Sequence, residues 1–321
     1  MRNLIILVLV LAVGGYFGIK WKLHSDVESG VDMAVLMMKP YVAIEYEGIS
    51  STLSGELTID GIRGRVQGYD DEFSIGRFGI DTPSFLSLMK IGDMQSVMMA
   101  RKDVLPDYFG IILEGLKMPV DADYGHTLHA TQIAALGVTD DETPANRCTG
   151  KYGFSPQALV AMGYEEYDLT FNARFRQDGG RYGVEIHSGS ANMWDVDATL
   201  ELAGNMTSEL AMGPGYRPKL AGMEIVYNDR SLKERVSAYC QRLGLTPEAA
   251  LDAQVDAFRY VGSQVGIEFD EYVMDPYREF LGGKSTLVVT AKPLEPIPLS
   301  SIALYKPSDV PALLQLSAEA R

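Results

Sequence analysis

Apolar positions follow three patterns along this chain: one unbroken run, long blocks of strict alternation, and stretches at helical spacing. The unbroken run is Leu4–Ile19, with Arg2 before it and Lys20-Trp21-Lys22 after it. As a helix, about 16 residues at 1.5 Å each reach about 24 Å; Tyr16, Trp21 and the stems of Lys20 and Lys22 extend that towards the ~30 Å of a hydrocarbon core. Residues 1–22 therefore read as an uncleaved transmembrane anchor. A cleavable signal is the competing reading. Ala12-Val13-Gly14 offers small residues, but a cut there leaves a short signal, and the apolar run continues through Phe17 and Ile19. Long domains translocate largely regardless of flanking charge. The expectation is thus a single-pass bacterial inner-membrane protein with its body in the periplasm.

Helical spacing of Val27, Val31, Ala34 and Met38, stopped by Pro40, predicts a stalk helix over 23–40. Alternation then takes over. Val42, Ile44 and Tyr46 form one set; Leu53, Gly55, Leu57 and Ile59 alternate with Ser54, Glu56, Thr58 and Asp60. Asp60-Gly61 and Gln67-Gly68 read as turns, since glycine supplies positive φ at no steric cost. Phe73 to Ile80 continues this antiparallel meander. Ser84–Lys102 is expected to be helical and Tyr108–Met118 a strand. Val120–Lys151 reads as irregular, with a short helix near Thr131–Leu136. Ser155-Pro156 opens a helix that Gly163 ends.

The clearest alternation comes next: Tyr167, Leu169, Phe171, Ala173 and Phe175; Tyr182, Val184 and Ile186; Trp194, Val196, Ala198, Leu200 and Leu202; Ala221, Met223, Ile225 and Tyr227. Polar residues fill the positions between, which means one face buried and one wet, as in antiparallel sheet. Helices are expected over Ser231–Leu243, Thr246–Val261 and Asp270–Leu281, then a strand over Ser285–Ala291 and a short helix from Ser308. Strands are not interleaved singly with helices, so the fold class is α+β: a transmembrane helix, then a long curved antiparallel sheet with helices packed on its apolar face. The body, 41–321, is taken as one unit, with a division into lobes 41–150 and 151–321 left open.

Charge and composition narrow the partners. The formal net charge is -15, with 28 Lys and Arg against 43 Asp and Glu, and no basic cluster; nucleic acid is excluded, because phosphate affinity needs clustered cations. The two cysteines, Cys148 and Cys240, read as a disulfide in an oxidising compartment, with two buried free thiols as the alternative.

No polar cluster reaches a catalytic or metal-binding pattern. His126 and His129, near Asp121 and Asp123, are three apart but sit in what reads as loop, and no glutamate base follows them. Gly61-Ile-Arg-Gly64 precedes no helix, and no GxSxG elbow is present. Asp195 and Asp197 occupy the polar positions of a strand, and Asp229 reads as a helix cap. The expectation is a non-enzymatic protein with no catalytic residue, metal or cofactor.

What remains is apolar surface. The segment Gly48-Ile-Ser-Ser-Thr-Leu-Ser-Gly-Glu-Leu-Thr-Ile-Asp-Gly-Ile, following an anchor and stalk, resembles the opening of AsmA-like envelope proteins, which begin with a membrane helix and lead into a long curved sheet. It is also similar to uncharacterised single-anchor periplasmic envelope proteins of proteobacteria. The likeness covers residues 1–82 and implies envelope maintenance or phospholipid handling. The Met-rich stretches Met33–Met38 and Met89–Met99 add flexible apolar surface. A one-sided sheet incompletely covered by helices would leave a trough for phospholipid or fatty acid, with Leu57, Ile59, Phe73, Ile75, Phe171 and Phe175 as its candidate lining. The alternative is an envelope interaction scaffold with a fully packed core and a protein partner in place of a ligand.

Overall fold

A computed structural model describes residues 24–92, 107–135, 143–150, 153–178, 181–203, 218–264, 266–302 and 304–321. Residues 24–38 form helix α1. The strands are β1 (Val42–Glu45), β2 (Gly48–Ser51), β3 (Glu56–Val66), β4 (Glu72–Asp81), β5 (Tyr108–Pro119), β6 (Glu166–Asp178), β7 (Arg181–Ser190), β8 (Trp194–Ala203), β9 (Lys219–Asp229), β10 (Thr286–Ala291), β11 (Ile297–Pro298) and β12 (Leu316–Ala320). The remaining α-helices are α2 (Phe85–Gly92), α3 (Asp123–Ala135), α4 (Pro144–Thr149), α5 (Pro156–Ala161), α6 (Leu232–Arg242), α7 (Pro247–Gln264), α8 (Glu271–Leu281), α9 (Leu299–Ile302) and α10 (Val310–Leu313).

All twelve strands among the described residues join one sheet, in the order β1-β3-β4-β5-β6-β7-β8-β9-β10-β12, with β2 also on β3 and β11 also on β9. From β3 to β9, chain neighbours are sheet neighbours and every pairing is antiparallel. The architecture is therefore α+β, with a large antiparallel sheet and helices. The sheet runs unbroken past residue 150, since β5 pairs with β6 over Tyr108–Arg176 to Pro119–Glu166.

Several expectations need correction. Leu53 is not in a strand: Gly55 N–H donates to Thr52 O at 3.2 Å, and Gly55 at φ +98° makes a tight turn there. Asp60-Gly61 is not a turn but lies inside β3, although Gly61 does have positive φ. The segment after Val120 is more regular than expected, because α3 spans Asp123–Ala135 and α4 is capped by Thr143, whose hydroxyl accepts from Asn146 N–H at 3.3 Å. Strand β12 was not foreseen; Leu316, Ala318 and Ala320 alternate with Ser317 and Glu319, but alanine is a weak strand former. The apolar run Leu4–Ile19 and residues 93–99 of the Met-rich stretch lie outside the described residues, and no helix among those described is long and apolar enough to cross a membrane.

Two clusters hold the helices to the sheet. One gathers Tyr164, Met193, Val236 and Tyr239 around Cys148 and Cys240, which are bonded to each other and fully buried. This disulfide ties α4 to α6. The other joins Tyr182, Leu202 and Leu220 to Leu299, Ile302 and Leu314 of the C-terminal segment.

Candidate functional site: one apolar face of the sheet

Residues paired across an antiparallel ladder share a face, and so do residues two apart along a strand. These two rules place Leu57, Ile59, Phe171 and Phe175 on one face and bring Ile75, with Phe73 two residues away, to the same face through Leu116, which pairs with Leu169 of β6. Ile59 pairs with Phe78, Phe78 with Leu113, and Leu113 with Phe171. Beside that row runs another: Leu57, Ile80, Ile111, Ala173, Ile186, Ala198, Ile225 and Val289, each paired with the next across eight strands. Phe175 lies in a third row, between Phe109 and Val184. Ile75 pairs with Ile62 and Leu116, and Phe73 with Gly64.

One feature of β3, β4 and β5 makes this face continuous. In β3 the apolar positions step from Leu57 and Ile59 to Ile62, a spacing of three. The same break falls between Phe78 and Ile75 in β4, and between Leu113 and Leu116 in β5, where the register against β6 also shifts. A glycine stands at each break. Gly61 and Gly115 have φ of +63° and +65°, and a side chain on Gly115 would come 3.7 Å from Gly76 N. The three glycines line up across the strands as a bulge that resets the alternation, so the apolar side chains beyond it return to the same face.

Coverage of this face is uneven. Over β9 and β10 it is roofed by α6, α7 and α8. Over β4 to β6 it is open: Phe78 is 39 % exposed, Ile111 40 % and Phe171 37 %. Leu57, Ile59, Phe73, Ile75 and Phe175 are half-buried. Phe78, Ile111 and Leu113 belong to the same patch but were missed, because which side chains meet across strands depends on a register that one strand's sequence does not reveal.

Under the helical roof the packing leaves a cavity of about 430 Å³, floored by Ile225, Tyr227, Leu287 and Val289 and roofed by Phe258, Val261, Tyr277 and Phe280. Phe258 stacks on Tyr277 with ring centroids 4.4 Å apart, and Tyr227 meets Phe280 edge-on at 5.5 Å. Burial pushes the Tyr277 hydroxyl up to about 12, and burial together with Asp229 raises that of Tyr227. Lys233 stands at the cavity wall, where its Nζ donates to Phe280 O at 2.9 Å and to Lys284 O. Burial lowers the pKa of its ammonium, opposed by Asp229. The N-cap position of α6 is Ser231, not Asp229, but the Asp229 carboxylate lies just before it and accepts from Lys233 N–H in the first turn at 2.9 Å.

The opposite face is polar. Arg77 lies 3.3 Å from Glu56 and 3.6 Å from Glu114, Arg174 2.7 Å from Asp81, and His187 2.8 Å from Asp197. Asp195 is also there, 2.5 Å from Arg230. These are charge pairs on a wet surface, individually worth about 0–1 kcal/mol. His126 and His129 prove to be on a helix, α3, but they engage protein groups: His126 meets Asp121 at 2.7 Å and Gln157 at 2.8 Å, and His129 lies 3.4 Å from Gly153 O.

A family model described as "Uncharacterized protein" matches residues 177–321, from the end of β6 through β12. No curated protein matches the chain.

Proposed function

We propose that this is a non-enzymatic, membrane-anchored periplasmic protein of the bacterial envelope, and that its apolar sheet face binds lipid or another hydrophobic ligand. The observation that carries the reading is the open row Ile59–Phe78–Leu113–Phe171, apolar across four strands and still in contact with water. Complete burial of a large apolar side chain is worth about 1.5–3 kcal/mol, so covering residues that are about 40 % exposed recovers roughly 0.6–1.2 kcal/mol each. An acyl chain laid along the face supplies that cover without needing a single directed polar contact. The polar face opposite has a hollow of about 450 Å³, but Asp81, Asn172, Arg174, Glu185 and His187 line it and give an acyl chain no such incentive. The AsmA-like opening, the apolar run Leu4–Ile19 and the disulfide agree with an envelope address.

Mass spectrometry of organic extracts from residues 24–321, produced in a periplasm and purified without detergent, tests the reading. Stoichiometric phospholipid or fatty acid, lost in Phe171→Asp and Ile111→Asp variants that still melt cooperatively, is the expected result. A wild-type protein as free of lipid as an unrelated periplasmic control would overturn it in favour of the scaffold.

A further inference from the structure

We propose that the half-open cavity between β9–β10 and helices α6–α8 is a second site that takes one single-chain amphiphile with an anionic head, a long-chain fatty acid being the simplest member. This deepens the lipid reading above and rests on it, because the same apolar face continues from the open patch into the cavity.

Four observations support the assignment. The volume, about 430 Å³, falls within the roughly 300–1,000 Å³ of sites that hold small molecules. The floor belongs to the row that begins in the open: Ala198 pairs with Ile225, and Ile225 with Val289. A chain lying on the exposed patch therefore has an unbroken apolar path beneath the helices. The wall is mostly apolar, with polar groups confined to a few positions, as orientation of an amphiphile requires. Finally, the charges at the wall are unequal. The Asp229 carboxylate is occupied, accepting the Lys233 backbone N–H at the start of α6 and lying where the helix dipole favours an anion. The Lys233 ammonium is held by two backbone carbonyls at and just past the C-terminal end of α8, which carry no formal charge, although the helix dipole favours a cation there. Two of its three N–H donors are used in this way, and the ammonium also lies 4.7 Å from the centre of the Phe280 ring; Asp229 acts on it electrostatically, but among the described residues no carboxylate forms an ion pair with it. Partial burial of that cation makes an incoming anion more valuable, since a charge-assisted hydrogen bond strengthens as water is excluded.

The test is photo-labelling of the full chain in membranes with two diazirine-bearing probes of equal length, a palmitic acid and the corresponding hexadecanol, followed by peptide mapping. Labelling by the acid is expected on peptides of α7, α8 and β10. Lys233→Met should lower the acid's labelling there by about tenfold or more and leave the alcohol's unchanged, because a hydrogen bond to a charged group is worth about 1.5–3 kcal/mol. Lys233→Arg should restore preference for the acid. Ala257→Phe, which places a ring in the cavity from α7, should abolish labelling by both probes at these peptides; melting curves check that each variant is folded. Acid and alcohol labelling the cavity equally, before and after Lys233→Met, would overturn the assigned head group. Labels confined to β3–β6 would show the cavity empty while the open trough stands. Labels in neither place would defeat both readings together.

Discussion

Replacing Cys148 and Cys240 together by alanine opens a loop of 92 residues that runs from α4 through β6–β9 into α6. In the chain-entropy account, freeing a loop of that length in the unfolded state costs about 4.6 kcal/mol at 25 °C. That is a large share of the 5–15 kcal/mol by which domains are ordinarily stable. The unfolding entropy near the midpoint is about 2.1 cal/mol/K per residue, so roughly 300 folded residues give about 0.63 kcal/mol/K and a fall in Tm of about 7 °C. Both sulfurs are fully buried, so their removal leaves unfilled volume and the fall should be at least that large. Circular-dichroism melts of residues 24–321, oxidised and reduced, provide the assay. The wild-type Tm should drop on reduction, the variant's should not move, and the two reduced proteins should agree to within a few degrees. A variant melting within about 2 °C of the oxidised wild type would refute the reasoning. Trapping free thiols in intact cells adds an address: oxidised cysteines are expected in a periplasm, whereas thiols that remain reactive there contradict the proposed location.

Other consequences follow from single residues. A side chain on Gly79 would sit 2.2 Å from Leu57 O and 2.8 Å from Thr58 Cα, both backbone atoms, so Gly79→Ala should cost about 3 kcal/mol in denaturant titration, while Gly183→Ala, in open space, should stay within about 0.5 kcal/mol. Tyr277 keeps its proton to about 12 in the folded protein, against about 10 when unfolded. Between those values the unfolded state alone loses the proton, so stability falls as pH rises from about 10, and Tyr277→Phe should melt less sensitively to pH across that window. An equal pH dependence for variant and wild type would contradict the buried hydroxyl.

The parts of the fold that were legible in the sequence are those in which one strand carries its own signal. Leu169, Phe171, Ala173 and Phe175 alternate with Thr170, Asn172 and Arg174 because one face is apolar and the other wet, and β6 lies where that pattern puts it. Gly61 shows the limit. A glycine at positive φ serves a hairpin or a bulge equally well, and only its alignment with Gly76 and Gly115 in neighbouring strands decides for the bulge. The six trough residues could be assigned to apolar positions from alternation alone. Their open neighbours Phe78 and Ile111 needed the cross-strand register and knowledge of where helices stop covering the sheet. The cavity depends on how α7 and α8 dock over β9 and β10, a long-range arrangement; its one sequence trace is the density of aromatics at Phe258, Phe269, Tyr277 and Phe280.

The proposal that the two faces differ in function meets its most direct test in photo-crosslinking within living cells. A benzoyl-phenylalanine is placed at position 171, on the open apolar face, and in a second variant at position 176, where Arg176 is exposed on the polar face. A lipid adduct from position 171 and none from position 176 is the result predicted by ligand binding on the apolar face. A discrete protein adduct at 171 without lipid, or equal lipid labelling from both positions, would contradict it.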